Sequence, residues 1–217
     1  MVSSGKRKKT FPLSKKARRI IITVLAALAI VIVLVDRADI GESYRGRMFS
    51  QESVSSRDVQ KYHEKTFTVT NIVDGDTLDI DVMDGSKPYT RIRLWGIDTP
   101  ETTGTNGSAY YAAQAKEKVA DLCLDRQVTV HLDPERRTRG YYGRLLAYVE
   151  LPNGEILNEL LVEKGYAYAD LRFEHDFYHK YQDLQKRGRR KNNVLWQQVT
   201  TKQLPDWLRK RKPDLLD

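Results

Sequence analysis

The chain of 217 residues contains a single cysteine, Cys123. No intrachain disulfide can form, and no Cys-rich zinc site can be built. Internal repeats and low-complexity tracts are absent, which excludes a collagen-like chain. Only one long apolar run occurs, so a polytopic membrane protein is excluded as well. The hydrophobic share is 40% and the charged share 30%, a balance that rules out wholesale disorder. Acidic residues are missing from the first 35 positions, which carry eight Lys and Arg.

That local lack of acid explains the formal net charge of +8. Without those eight cations the remaining chain holds 29 basic and 29 acidic residues. Residues 36–185 sum to −7 and residues 186–217 to +7. The bulk charge is therefore no evidence that the folded body binds a polyanion.

The basic tail, residues 1–19, precedes Ile20–Val35, sixteen positions without a charge. As a helix this run spans about 24 Å, and Ala17 with snorkelling Arg18 and Arg19 extends it. The expected reading is a transmembrane signal-anchor at 20–35 with its N-terminus in the cytoplasm and the body outside it. Secretion after signal cleavage is the alternative; the long basic region and the lack of a small-x-small site after Val35 argue against it. Residues 36–65 are polar and of mixed charge, and read as a linker.

A folded domain is expected over 66–200, with a C-terminal tail over 201–217. Strands are expected at Thr66–Val73, Thr77–Met83 and Tyr89–Trp95, with turns at Asp74-Gly75 and Asp84-Gly85. In the third, Ile92 and Leu94 share one face and Arg91 and Arg93 the other. Ser108–Leu124 has helical spacing, Gln127–Leu132 and Arg144–Leu151 are strands, and Asn158–Lys164 and Phe177–Arg190 are helices. Five strands with a helix after the third predict an α+β fold: a five-stranded antiparallel barrel of the OB type with about three helices.

Carboxylates cluster at two turns, Asp74 to Thr77 (DGDT) and Ile97 to Glu101 (IDTPE), with Arg93 five residues before Asp98. Further on, Tyr142 and Arg144 sit at a loop-to-strand junction. Carboxylate oxygens suit a hard cation such as calcium, guanidinium forks grip phosphate, and a further carboxylate can take a proton from water.

These residues, in this order and spacing, resemble the thermonuclease (staphylococcal-nuclease-like) family. The resemblance runs from about Thr66 to Trp196 and includes Leu146-Ala147-Tyr148, Asn158-Glu159 and Gly165. It implies an OB-type barrel that hydrolyses phosphodiesters of DNA and RNA with Ca2+, leaving 5′-hydroxyl and 3′-phosphate ends. By position, Asp76 and Asp98 would give carboxylates to the ion and Thr99 its backbone carbonyl. Glu101 would be the general base, and Arg93 and Arg144 would bind the phosphate. Tyr142 would hydrogen-bond a phosphate or stack near the nucleotide. Two features depart from the family pattern. Leu171 and Phe173 stand where base-stacking tyrosines are usual, Phe173 remaining able to stack. Gly104–Ser108 replaces a more basic loop.

Other readings compete. A non-catalytic OB-type module would bind nucleic acid or protein without the full carboxylate–arginine set. Asp79, Asp81 and Asp84 fail the EF-hand spacing and read as strand surface. His175 and His179 are four apart but lack the HExxH glutamate, and read as a solvated helix start. The stretch Lys186–Lys191 reads as a solvated helix end, with a nucleic-acid or lipid contact as the alternative, and Trp196 and Trp207 as anchors of the tail. No segment marks an obligate protein partner.

Overall fold

The computed structural model describes residues 14, 16, 20–27, 54–101 and 109–216. The chain divides into two units, residues 1–50 and 51–217. In the first, residues 20–27 are helical and exposed. The rest of the apolar run, most of the basic tail and the Gly104–Ser108 loop lie outside the described residues. Among the described residues no helix is long and apolar enough to cross a membrane.

The second unit opens with a helix over 54–62, α1. The folded body thus includes part of the stretch read as linker. Polar composition concealed two buried anchors on this helix. Tyr62 is fully buried, its hydroxyl 3.0 Å from Thr90 Oγ1. Asp58 takes a bidentate fork from Arg139 at 2.7 and 2.8 Å.

The strands are β1 (Lys65–Asp74), β2 (Thr77–Ile80), β3 (Thr90–Leu94), β4 (Ile97–Asp98), β5 (Gln127–His131), β6 (Leu145–Glu150) and β7 (Tyr168–Ala169). Five of them close a barrel in the order β1-β2-β3-β6-β5. Two register irregularities bend β1, so that one strand pairs with both β2 and β5. The barrel is not wholly antiparallel: β3 and β6 run parallel, Arg93 opposite Leu146. Alternation within a strand sets which face is buried but not which neighbour it meets, so this pairing was not legible locally.

Alternate residues fill the barrel, among them Leu78, Ile80, Ile92, Leu94, Val128, Val130, Leu145 and Val149. Helix α2 (Ala112–Cys123) turns Ala112, Ala115, Val119 and Cys123 to the core. Gly75 in the β1–β2 turn packs against it; a Cβ there would lie 2.8 Å from that of Ala115. Helix α3 (Leu157–Lys164) is tied in by buried Asn158, which donates to Trp95 O (3.0 Å) and Ala147 O (3.2 Å) and accepts from Val149 N (3.1 Å).

Helix α4 (Tyr178–Arg190) packs on α3. Short β4 and β7 pair antiparallel, Asp98 opposite Tyr168. The C-terminal segment, read as a tail anchored by tryptophans, docks on the body: α5 (Asp206–Arg211) follows Pro205, and Leu204 and Leu208 are buried. His175 also departs from expectation. It precedes α4 and is buried against Trp95, Tyr148 and Tyr181, because Gly96 at φ +78 leaves room for its ring. A Cβ at Gly96 would meet that ring at 2.3 Å.

Candidate active site

The DGDT turn is organised by its own carboxylates. Asp74 Oδ1 accepts from Asp76 N at 3.1 Å, an Asx-type turn. Asp76 is buried; its Oδ1 accepts from the Thr77 hydroxyl (3.0 Å) and its Oδ2 from Thr99 N (2.9 Å). One side chain therefore joins the two acidic turns. Arg93, on the polar face of β3, forms ion pairs with Asp76 and, at 2.6 Å, with Asp98. Its neighbour Arg91 is spent on a cross-strand pair with Asp79 at 2.7 Å.

Asp98 is held from three sides. Oδ1 accepts from Arg93 and from Arg172 Nη2 (2.8 Å), and Oδ2 accepts from Trp207 Nε1 (2.8 Å). Asp170 fixes Arg172 through Nε and Nη2, both at 2.9 Å. The Arg172 guanidinium also lies 4.8 Å from the Trp207 ring centroid. The β4–β7 pairing brings the segment carrying Asp170 and Arg172 beside Asp98.

These groups open onto a cleft of about 320 Å3, lined also by Asp74, Glu101, Arg137, Tyr142, Arg144 and Phe173. Arg144 reaches to 3.5 Å from Thr77 Oγ1, with its guanidinium 5.8 Å from the Tyr142 ring. Tyr142 itself is largely exposed. Phe173 stacks on Trp95 at 6.3 Å and 21°, and Arg137 lies over both rings. Partial burial raises the Glu101 pKa, and the fields of Asp74 and Asp98 add to this against Arg93 and Arg144. Its proton affinity is thereby moved toward that of a useful base. Burial lowers the Arg93 pKa; Asp98 opposes that and Arg144 reinforces it. Arg93 stays a cation all the same, as guanidinium does in proteins.

Residues 91–198 match the family model of staphylococcal nuclease homologues. The thermonuclease of Staphylococcus hyicus is 31% identical over 136 residues, 62% of this chain and 77% of that protein. The thermonuclease of Staphylococcus intermedius is 34% identical over 144 residues, 66% of this chain and 81% of that protein. An uncharacterized endonuclease of Escherichia coli is 32% identical over 140 residues, 64% of this chain and 81% of that protein. The chain belongs to the staphylococcal nuclease family. It is a nuclease that hydrolyses phosphodiester bonds of nucleic acids.

In this member of the family, seven of the eight residues singled out from sequence line the cleft: Asp76, Arg93, Asp98, Glu101, Tyr142, Arg144 and Phe173. Thr99, the eighth, contributes its backbone N–H to Asp76. Among the described residues no three His, Cys, Asp or Glu side chains converge as a metal-binding group. The chemistry of the donors nonetheless fits a hard cation. A carboxylate has about four acceptor positions, and three on Asp98 are filled, which leaves one on Oδ2. Asp76 Oδ1 likewise keeps a free position beyond its bond from Thr77. Oxygen-only ligands of this kind suit calcium.

Sequence reasoning missed Asp170, Arg172 and Trp207, and read Trp95 only as part of a strand. The signal for the first two was the acidic–basic alternation of Asp170-Leu171-Arg172 beside the family pattern. Trp207, outside the matched span, was read only as an anchor of the tail; its bond to Asp98, 109 positions away, had no local signal.

Proposed function

We propose that this nuclease is calcium-dependent, cleaves both DNA and RNA, and is held at the membrane by its N-terminal apolar helix with the catalytic body outside the cytoplasm. Asp76, Asp98 and the Thr99 carbonyl would hold the cation, which would supply positive charge to offset that of the phosphate. Arg93 and Arg144 hold two phosphate oxygens and offset the charge that grows on them during attack. Glu101 accepts a proton from the attacking water. The water oxygen forms the new bond to phosphorus, and the bond to the 5′ oxygen breaks. That oxygen takes up a proton from solvent, giving 5′-hydroxyl and 3′-phosphate ends. Tyr142 donates to a phosphate oxygen, and Phe173 on Trp95 stacks an unpaired base.

The observation that carries this reading is the convergence of Glu101, Arg93 and Arg144 in one cleft with Asp74, Asp76 and Asp98. With four carboxylates against two guanidiniums, a site of this kind offers a base, two phosphate donors and spare carboxylate oxygens together. The test uses the full chain in detergent with single-stranded DNA, with calcium and then with a calcium chelator, repeated for Glu101→Gln. Chelation is expected to abolish cleavage, and the substitution to reduce kcat at least about a hundredfold. Cleavage that survives the chelator refutes the metal requirement, and an unimpaired Glu101→Gln refutes the base. A C-terminal reporter that is active only in the cytoplasm would refute the topology.

A further inference from the structure

The reaction cleft has little charge to spare. Arg93 and Arg172 are committed to Asp76, Asp98 and Asp170, and Asp74 and Glu101 face the same space. Residues 36–185 are net negative, at −7. Cations at the reaction centre can hold one phosphate, but a polynucleotide carries a charge at every step and needs further neutralisation. The excess of positive charge in the folded body lies in residues 186–217, at +7.

The fold gathers part of that charge into a groove. Helices α4 and α5 and residues 212–215 enclose about 430 Å3, lined by Lys186, Arg189, Arg211 and Lys212 against one carboxylate, Asp214. Among the described residues neither Arg211 nor Lys212 forms an ion pair. Lys186 has only an exposed pair with Asp183 on its own helix at 2.9 Å, a contact of little energetic weight.

The groove adjoins the reaction cleft. Leu171 lines the groove, while the next residue, Arg172, lines the cleft. On α5, Trp207 donates to Asp98, and Arg211 stands one helical turn further on, about 6 Å along the axis. Helix α5 lies beyond the span matched by the family model.

We propose that the groove between α4 and α5 is a second nucleic-acid-binding site, which takes the phosphate backbone of a single strand a few nucleotides from the bond being cleaved. Lys186, Arg211 and Lys212 are its principal contacts. Exposed bases are left unread, so the site adds affinity for length and not for sequence. The inference rests on the chain being a nuclease and does not depend on which residue is the base.

The test compares the full chain with the variant Lys186→Ser/Arg211→Ser/Lys212→Ser on two single-stranded substrates, a trinucleotide and a strand of about 30 nucleotides. On the long strand kcat/KM is expected to fall about tenfold, and the salt dependence of binding to weaken by about two in log–log slope. On the trinucleotide the variant is expected to stay within about twofold of the parent. The charge-preserving variant Lys186→Arg/Arg211→Lys/Lys212→Arg should retain cleavage of the long strand. Equal losses on both substrates would overturn the proposal, as would no loss on either. Loss of binding to vesicles of anionic phospholipid with cleavage of the long strand unchanged would assign the groove to the membrane and overturn it too. Inactivity of the parent on both substrates would refute the nuclease reading itself, a separate result.

Discussion

Acidification should loosen this protein through one buried ring. His175 lies between Trp95, Tyr148, Tyr178 and Tyr181, with its Nδ1 3.1 Å from the Tyr148 hydroxyl. Burial pulls its pKa down to about 4, against the pull of Asp170 and Asp176, while Arg136 adds to the depression. The unfolded chain takes up this proton near 6.5. Between the two values the unfolded state binds more protons, so stability is lost as pH falls through 6.5, and the loss is complete near 4. The full effect is at most about 3 kcal/mol, and about 2 kcal/mol of it falls between pH 6.5 and 5. Urea unfolding followed by tryptophan fluorescence reads this as a midpoint lower by about 1 M at pH 5. In His175→Gln the part of the pH slope due to this ring should disappear. A His175 imidazole resonance that titrates near 6.5 would refute the reasoning, as would a parent midpoint that does not move between pH 6.5 and 5. The consequence reaches the site, because the segment leading into His175 carries Arg172 and Phe173.

Three further substitutions probe how the site is held. Asp58→Ala leaves Arg139 with Asp84 and the Gly143 carbonyl (3.0 Å) and takes from the Thr138 hydroxyl its 2.7 Å acceptor; it should cost about 2–3 kcal/mol in chemical denaturation. Asn158→Ala strips partners from Val149 N, Trp95 O and Ala147 O inside the core, with an expected loss of about 2–3 kcal/mol by the same measurement. Trp207→Phe keeps a ring against Arg172 and removes only the donor to Asp98. A hydrogen bond to a charged group is worth about 1.5–3 kcal/mol, so chemical denaturation should show a loss of that order, and kcat/KM should fall as Asp98 loses one of its three donors.

Several features were open to local reading because the physics behind them is local. Period-two alternation over Thr90–Leu94 put Ile92 and Leu94 in the barrel and Arg93 on the other face. Asp-Gly turn chemistry marked the DGDT corner, and a helical stripe marked α2. Other features were closed to it. A mixed-charge stretch gave no sign that Asp58 and Tyr62 would be buried, since their partners Arg139 and Thr90 are 81 and 28 positions away. His175 looked like a solvated helix start because nothing nearby in sequence shows that Gly96 leaves room for an imidazole.

The sequence by itself determined the distribution of charge, the strand and turn pattern, and the order of carboxylates and arginines that marks a staphylococcal-nuclease-type site. Each depends on neighbours within about ten positions, where the chain's own geometry decides what can face what. Only the tertiary structure decided that Arg172 and Trp207, 74 and 109 positions from Asp98, close on its carboxylate, and that the basic end of the chain forms a groove beside the cleft. Contacts of that range exist only after barrel closure, the β4–β7 pairing and the docking of Leu204 and Leu208 have brought distant segments together. No local propensity encodes them.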